Sequence, residues 1–482
     1  MKSWSKLAVL LGAITWSGMA RAQAPDATNG QPWISDRALG EGPGIRVGDF
    51  ELHPGLAAEF GYDSNFFQRA DSEIERDTMG PVIDTLRLRI TPSLTLRNLD
   101  RRASLAPGER GAPPKIKFQL AADAAYNEFF ALDSRYTSML NRQRRLSGGA
   151  GADLVLLPER PWSVDTRVAY RRTVEPSNLG SLAGDFDRHT LGAGAGLTWR
   201  PGGGLFEWRF VGYDLRATFF EDTGFDSFNN LDHRFETRGR WKFLPRSALV
   251  YDAHYQLIRY TGDALGTPPA GPRNRLTDQN NGDIIRARAG YSGLLTPRLG
   301  VTALGGWAAS FYDQRIQPSL NFDDFIAHAE LTWFLNAQPR LQPGFASVGL
   351  SSIAVGYDRN FLNGYLGNFY QRDRGYAAVT YSFAGRFVSA LSGGLSHISY
   401  PDFSLAPLPN EPRFTRPGFS ENRIDAMFFG EYRPAPTVGI NTTVRYDRNF
   451  SQVVPFSETD PDIGDDLSFQ RWSVFLGARW FM

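Results

Sequence analysis

The sequence contains no cysteine and only six histidines among its 482 residues. The absence of cysteine excludes a disulfide framework, a thiolate zinc site and a thiol nucleophile. Basic and acidic residues nearly balance, and the net charge of +1 indicates no basic surface for nucleic acid. After the N-terminal segment, no apolar run reaches the roughly 18 residues of a membrane-spanning helix.

Recognisable catalytic motifs are also missing. The histidines are scattered singly, and no GxSxG, HExxH or Walker sequence is present. We therefore predict that the protein is not an enzyme and that it uses no cofactor and no metal ion.

A cleavable targeting segment is predicted at the N-terminus. A short basic region is followed by an apolar stretch at 7–19 and by a small-x-small cleavage site at 20–22. This order is typical of a secretory signal peptide, here at 1–22, and the apolar stretch is too short for a transmembrane anchor. Residues 23–46, rich in proline, glycine and charge, are predicted to form a periplasmic lead-in to one domain at 47–482.

The stretch RWSVFLGARWFM at the end of the sequence alternates between two kinds of residue. Every second residue from Trp472 to Met482 is apolar, and most of the residues between them are small or charged. A period of two predicts a β-strand with two different faces. The alternation recurs and predicts about 18 strands, near 49–62, 86–97, 116–127, 144–156, 162–171, 188–199, 205–216, 233–243, 248–259, 284–295, 300–311, 325–335, 347–357, 375–383, 386–399, 424–433, 438–447 and 471–482. No segment shows a convincing helical period.

Short and long connections alternate between these strands. Short turns rich in proline and glycine lie at 156–162, 200–204, 244–247, 296–300, 383–387 and 433–437, with longer members at 98–114 and 336–346. Long segments lie at 63–81, 172–187, 217–232, 260–283, 358–374, 400–423 and 448–467. This plan predicts an all-β fold, namely a closed transmembrane antiparallel β-barrel in the bacterial outer membrane with short periplasmic turns and long extracellular loops. A soluble sandwich, the alternative, gives no reason for the alternation.

Tryptophan and tyrosine sort to opposite ends of the predicted strands. Tryptophan lies next to short turns or the C-terminus at Trp162, Trp199, Trp241, Trp333 and Trp480. Tyrosine lies next to long segments at Tyr62, Tyr126, Tyr170, Tyr255, Tyr400 and Tyr446. This distribution predicts two aromatic girdles where the barrel wall meets the lipid headgroups.

The polar faces of the predicted strands carry charges of both signs. We predict that the pore is lined by Arg87, Arg89, Asp123, Asp153, Arg167, Arg238, Arg240, Arg286, Arg288 and Glu330. A barrel of about 16–18 strands encloses a water-filled channel unless a plug fills it. The alternative for each of these residues is a cross-strand ion pair that stiffens the wall.

A tyrosine–aspartate motif recurs where strands meet long segments, as in GYDSNFF, GYDRNFL and RYDRNF. Tyrosine anchors at the membrane interface, and aspartate and asparagine suit the first turn of a loop. The aromatic residues could also stack on sugar rings. The candidates for glycan contact are Tyr62, Phe66, Tyr357, Phe361, Tyr446 and Phe450, and interface anchoring is the favoured alternative.

Two stretches carry a resemblance to a known family. GDFELHPGLAAEFGYDSNFF and the following DTLRLRITPSLTLRN resemble the β-barrel porin 2 group of Gram-negative outer-membrane proteins, most clearly over 47–98. In particular, the chain resembles the 18-stranded barrels of exopolysaccharide export systems. The end of the chain also resembles the C-terminal assembly signal of outer-membrane barrels, at Gly477, Trp480 and Met482, although phenylalanine is the usual last residue.

The resemblance implies a conduit that exports a secreted polysaccharide of the biofilm matrix together with a periplasmic polysaccharide-export protein. It also implies contact with outer-membrane lipid, with lipopolysaccharide and with the barrel assembly machinery. A general or substrate-selective diffusion porin is the first alternative. The second is an outer-membrane hydrolase with a serine–histidine or aspartate–histidine pair on its wall, although nothing in the sequence selects such a pair.

Overall fold

The structure, a computed structural model, describes residues 42–71, 81–98, 114–158, 160–175, 186–261, 281–312, 321–335, 351–364, 367–384, 386–405, 414–416, 418–451, 453–455 and 464–482. One sheet contains eighteen long strands and the three-residue strand Ile45–Val47. The long strands are β1 (Phe50–Asp63), β2 (Thr85–Asn98), β3 (Ile116–Ala131), β4 (Leu146–Leu156), β5 (Trp162–Thr173), β6 (Arg188–Trp199), β7 (Phe206–Phe220), β8 (Asn230–Leu244), β9 (Ser247–Tyr260), β10 (Gly282–Thr296), β11 (Leu299–Tyr312), β12 (Asp323–Phe334), β13 (Ser352–Gly364), β14 (Gly367–Phe383), β15 (Phe387–Tyr400), β16 (Phe419–Ala435), β17 (Val438–Phe450) and β18 (Phe469–Phe481). The predicted signal peptide at 1–22 and residues 23–41 of the predicted lead-in lie outside the described residues.

The sheet closes on itself. Each long strand pairs antiparallel with the next along the chain, and β18 also pairs with β1 through Leu56–Trp480 and Asp63–Ser473. The backbone amide of Met482 donates to the carbonyl of Pro54 at 3.0 Å, so the chain end is part of this seam. The prediction of a closed antiparallel barrel of about 18 strands is therefore confirmed.

Alternation along each strand separates an apolar exterior from a polar interior. On β1, Leu56 and Phe60 are about half exposed, whereas Glu59 and Asp63 are buried at 1% and 0% exposure. The exterior is an apolar belt that includes Leu94, Leu120, Val168, Leu191, Leu249, Leu331, Val355, Leu391, Leu395, Ile440 and Leu476. Such a belt is stable in hydrocarbon because closure pairs the backbone amides of the wall within the sheet.

The aromatic girdles lie at the ends of the apolar belt. Trp162 and Trp199 stack on the exterior with ring centroids 5.9 Å apart, next to the short turns. Tyr62 and Tyr126 are exposed at the opposite end. Tyr400 is an exception, because its register with Phe419 turns it to the inner side, where the two rings stack at 4.3 Å.

The short turns follow from local chemistry. In the β6–β7 connection, Gly202 and Gly204 adopt φ angles of +63° and +89°. Only glycine adopts this left-handed region without a steric cost, so the run of three glycines lets the chain reverse within a few residues. This connection confirms one of the predicted short turns.

Two connections differ from the sequence-based expectation. The segment between β3 and β4 forms a short helix, Thr137–Arg142, although no helical period was convincing there. Its Leu140 is fully buried beside Phe66 and Phe129, and tertiary packing therefore stabilises a helix too short to stand alone. The predicted long loop at 358–374 is instead mostly strand, divided between β13 and β14. Among the described residues, no helix is long and apolar enough to cross a membrane.

Candidate functional site

The side chains predicted to line the pore all lie on the inner side of the barrel. Register and burial place there Arg87, Arg89, Asp123, Asp153, Arg167, Arg238, Arg240, Arg286, Arg288 and Glu330. Their contact with solvent differs, because Arg87 and Arg286 are only 1% and 7% exposed, whereas Asp153 and Arg167 are exposed. Conduction past these residues stays a prediction, and only the exposed ones are available to a passing solute.

Several ion pairs of the inner side join strands that are not neighbours. Arg167 on β5 binds Asp214 on β7 at 2.6 Å, and the strand between them contributes Gly194. A Cβ atom at Gly194 would lie 2.0 Å from the Asp214 carboxylate. The glycine therefore leaves the space in which two charged side chains lie flat along the wall.

The same arrangement recurs around the barrel. A pair spans an inward glycine of the middle strand in Arg171–Asp123 over Gly149, Arg374–Asp425 over Gly394, Arg479–Glu431 over Gly439 and Tyr376–Glu330 over Gly356. Opposite charges offset each other in the arginine–carboxylate pairs, and in the last pair the Tyr376 hydroxyl donates a hydrogen bond to Glu330. The inner wall is consequently ionic with charges of both signs, and the side chain of Arg167 stays 61% exposed in its pair.

The most buried charges lie beside the closing seam. Asp63 accepts hydrogen bonds from Arg87 at 3.1 Å and from Arg471 at 2.5 Å. Glu59 accepts from Arg89, whose guanidinium also lies 4.7 Å from the ring centroid of Phe475. Arg87 and Arg89 therefore hold the seam between β18, β1 and β2. For these two residues the structure shows cross-strand ion pairs, the alternative to a pore-lining role.

A polar cavity of about 530 Å³ lies within the barrel. The inward residues of β1–β9 and β18 line it, from His53 and Met482 near the short turns to Gln256 higher up the wall. Gly151 and Gly192 leave part of this wall bare, because the atoms nearest to a Cβ atom there would lie 3.6 Å and 3.9 Å away, respectively. The bare glycines mark where the lumen has room for a solute.

An aromatic cluster, here called the mouth cluster, covers part of the long-loop end. It consists of Phe186, Phe220, Phe225, Phe228 and Leu467, all buried. Phe419 on β16 packs against it. Because β7 and β16 are nine positions apart in a ring of eighteen, a cluster that contains Phe220 of β7 and packs against Phe419 of β16 crosses the barrel mouth. The mouth cluster therefore narrows the entrance at this end.

Ion pairs hold the loops around the mouth cluster. Arg172 donates to Glu221 at 2.5 Å, and His189 Nε2 lies 3.1 Å from the same carboxylate. The hydrogen bonds from Arg172 hold the pKa of Glu221 below its ordinary value. Arg145 binds the fully buried Asp187 at the start of β6. These charges fix the loop ends on which the mouth cluster is built.

A β-hairpin turns from the wall into the lumen. The last pair between β12 and β13 is Ala327–Arg359, and β13 then continues for several residues paired only with β14. In that part, Phe361 is 0% exposed and packs with Phe322 and Phe369. Their partners are Ile258, Ile284, Ala308, Tyr312 and Ile326, contributed by β9–β12. The hairpin thus occupies the part of the lumen that β9–β12 enclose.

The loop aromatics proposed for glycan contact fall into two groups. Tyr62, Tyr357 and Phe450 are exposed on the outer side, and Tyr446 stacks there on Trp472. These positions agree with the alternative of interface anchoring, and glycan contact stays a prediction for them. Phe66 and Phe361 are buried at 2% and 0% exposure. Neither ring offers a face to a sugar, because each is the centre of an apolar cluster.

The residues of the predicted assembly signal take three different positions. Gly477 lies beneath Glu59, where a Cβ atom would meet the Glu59 side chain at 2.5 Å. Trp480 lies on the outer side, 43% exposed. His53 Nδ1 lies 2.9 Å from the Met482 carbonyl oxygen. A role in assembly stays a prediction for all three.

Sequence reasoning missed the inward hairpin and the inward glycines as partners of charges. Phe369 is not among the predicted site residues because the sequence predicts a loop at 358–374, and Phe322 lies between two predicted strands. Apolar residues do alternate there at Phe361 and Phe369, but asparagine and glycine between them favour a loop. Among the described residues, no group of three or more histidine, aspartate and glutamate side chains is arranged to hold a metal ion.

A closed barrel with an apolar exterior and an ionic interior is a membrane-spanning β-barrel. No protein-family model matches the sequence, and no curated protein matches it. Solved structures with a similar fold include OpdK from Pseudomonas aeruginosa with vanillate, at 10% identity and a TM-score of 0.42, covering 89% of this chain and 99% of that one. OpdQ from the same organism is similar at 10% identity and a TM-score of 0.40, covering 90% of this chain and 98% of that one. A BenF-like porin from Pseudomonas fluorescens Pf-5 is similar at 9% identity and a TM-score of 0.41, covering 90% of this chain and 100% of that one. At such low identities and TM-scores, the likeness to these structures does not indicate function. Function is therefore inferred from the geometry of the lumen.

Proposed function

We propose that the protein is an outer-membrane channel for the diffusion of small polar solutes. The apolar belt and its aromatic girdles suit a wall in contact with lipid. The inner side carries charges of both signs and therefore offers a path to polar molecules that lipid excludes. Every described cluster of side chains is compatible with passive diffusion, and none calls for a further chemical role.

The observation that carries this proposal is the division of the lumen. A polar cavity of about 530 Å³ adjoins the bare glycines of the inner wall. The mouth cluster and the inward hairpin occupy other parts of the lumen. A passage of this size accommodates molecules comparable to a small sugar or amino acid.

Export of a secreted polysaccharide, which the sequence resemblance implies, has less support. A polymer needs a continuous and wide passage from one rim to the other. The described aromatic clusters cross the mouth and enter the lumen. The diffusion channel therefore accounts for more of the observed geometry.

Liposome swelling with uncharged sugars of increasing size tests the proposal. Swelling should be fast with a pentose and should fall steeply between a disaccharide and a tetrasaccharide. Gly151→Phe places a ring in the cavity and should slow swelling several-fold, whereas Ala152→Phe, on the outer side of the same strand, should leave it unchanged. Equal swelling of the two variants would contradict the assigned path.

A deletion strain separates the channel from the conduit. Under our proposal, deletion should slow uptake of small polar solutes and leave the amount of secreted polysaccharide unchanged. Loss of secreted polysaccharide, restored by the intact gene, would instead support the conduit.

A further inference from the structure

Among the described residues, backbone pairing joins the inward part of the hairpin to the neighbouring strands of the wall only at its base. On β13, pairing with β12 ends at Arg359, and on β14 pairing with β15 begins at Gln371. Between these points lie the two arms, 360–364 and 367–370; Phe361 pairs with Gln371 at the base, and Leu362–Tyr370, Asn363–Phe369 and Gly364–Gly367 pair beyond it. No backbone hydrogen bond of the sheet would therefore break if the arms moved away from β12 and β15 together.

The arms rest on an apolar surface inside the lumen, here called the lumen pad. It is formed by Ile258, Ile284, Ala308 and Ile326, which face inward from four consecutive strands, and Phe361 packs on it without solvent exposure. Most other inward positions of the barrel are charged, hydroxylic or small. The lumen pad is thus an apolar docking surface for the arms within an otherwise polar lumen.

Two polar contacts also join the arms to the wall beside the lumen pad. Arg286 donates to the carbonyl oxygen of Phe361 at 2.6 Å, and its guanidinium carbon lies 4.3 Å from the Phe361 ring centroid. The hydroxyl of Tyr312 donates to Asn363 Oδ1 at 2.9 Å. Arg286 lies on β10, three strands from β13 and hence about 14 Å along the wall. The hairpin reaches it by crossing the lumen, not by following the wall.

We propose that the hairpin arms are a displaceable gate, and this inference rests on the proposed channel function. When docked on the lumen pad, the arms fill the part of the lumen that β9–β12 enclose. When undocked, they swing about Arg359 and Gln371 and widen the passage. Movement is feasible because only side-chain contacts, centred on Phe361, Arg286 and Tyr312, hold the docked state, whereas the rest of the wall is held by continuous ladders.

Reversible cross-linking tests the gate, and the absence of native cysteine makes the experiment clean. Tyr312→Cys and Asn363→Cys replace two side chains that touch in the docked state and leave Phe361 in place. A bismethanethiosulfonate of matching length would bridge them and could be cleaved with reductant. Single-channel conductance in planar bilayers is the measurement, with mass spectrometry to verify the bridge.

We expect the bridged protein to conduct at least about twofold less than the same protein after reduction, because hinge motion is blocked. The outer-side pair Ala253→Cys and Ala287→Cys, which are register partners facing lipid, is the matched control and should show no change on bridging. Phe361→Ala, without any cross-linker, should lengthen the time spent in the larger conductance state.

The outcomes separate the gate from the channel. Equal conductance before and after reduction of the bridged pair would overturn the gate and leave the channel standing. Failure of the reagent to bridge Cys side chains at 312 and 363 would contradict the docked geometry. Absence of conductance in the unmodified protein would overturn the channel, and the gate with it.

Discussion

Inward glycines decide where charge can lie in this barrel. In each bridging pair, a long basic or aromatic side chain passes over a glycine of the middle strand to an acid two strands away. Any side chain on the middle strand would lift the pair into the lumen. Because glycine has no side chain, it leaves room for the charged side chains of its neighbours to pass across the middle strand.

Gly194→Val should destabilise the barrel through this mechanism. The added side chain would overlap the Asp214 carboxylate and displace Arg167, at a cost of about 1–3 kcal/mol for overpacking. Ala195→Val, the neighbouring residue on the outer side, adds similar bulk towards lipid and is the control. The temperature at which the folded band is lost in heat-modifiability gels should fall for Gly194→Val only.

A second prediction at the residue scale contrasts buried and exposed carboxylates. Glu431 is 1% exposed and accepts from Arg433 and Arg479. Glu431→Gln removes the carboxylate charge to which two buried guanidinium groups donate and should cost about 3–5 kcal/mol. Asp153→Asn, at an exposed inner position, should cost little. Urea unfolding in detergent distinguishes the two, and equal midpoints would contradict the assigned burial.

At the scale of the strand, the alternation between lipid and lumen dominates. On β6, Ala193 lies on the outer side, and the adjacent Gly192 faces the cavity, where the atoms nearest to an added Cβ would lie 3.9 Å away. The two residues are adjacent in sequence and similar in size, but Ala193 faces lipid and Gly192 faces the polar cavity.

Arginine at these two positions should have unequal effects. Ala193→Arg places a charge near mid-height on the lipid face and should cost about 2–4 kcal/mol. Gly192→Arg places the same side chain in a polar cavity and should be tolerated, although it should slow swelling with neutral solutes. The yield of folded barrel after refolding into vesicles measures the first effect. A larger loss for Gly192→Arg would mean that the two faces are assigned the wrong way round.

The β13–β14 hairpin shows how an element can defy local sequence. The segment at 358–374 carries the asparagine and glycine residues of a loop, and its local propensity is weak. It forms strand nevertheless, because its arms pair with each other and Phe361 and Phe369 find an apolar seat on other strands. Contacts distant in sequence override local propensity here.

At the scale of the whole molecule, closure is the property on which the rest depends. The final strand supplies the partners of both β17 and β1, and the last residues engage Pro54 and Gly55. An open edge in hydrocarbon would leave backbone groups without partners. The chain end is therefore structural and not a loose tail.

Removal of residues 480–482 should prevent efficient closure. The loss takes away the last pairs with β1 and β17 and the contact between His53 and Met482. We expect most of the truncated protein to stay unfolded or to be degraded, as measured by folded barrel in outer-membrane fractions. The matched control removes Met482 alone and should retain most of the folded protein. Normal folding without 480–482 would contradict a seam held at this end.

The sequence by itself determined the wall of this protein. Strand number, the inward and outward faces, and the placement of the candidate lining residues on the inner side follow from a period of two, and that period is local information. Only the tertiary structure decided which inward charges face solvent, which are buried against neighbours, and which segment enters the lumen. The reason is physical: pairs that bridge alternate strands, and a hairpin seated three strands from its origin, depend on how a closed sheet brings distant residues together, and no local pattern encodes that distance.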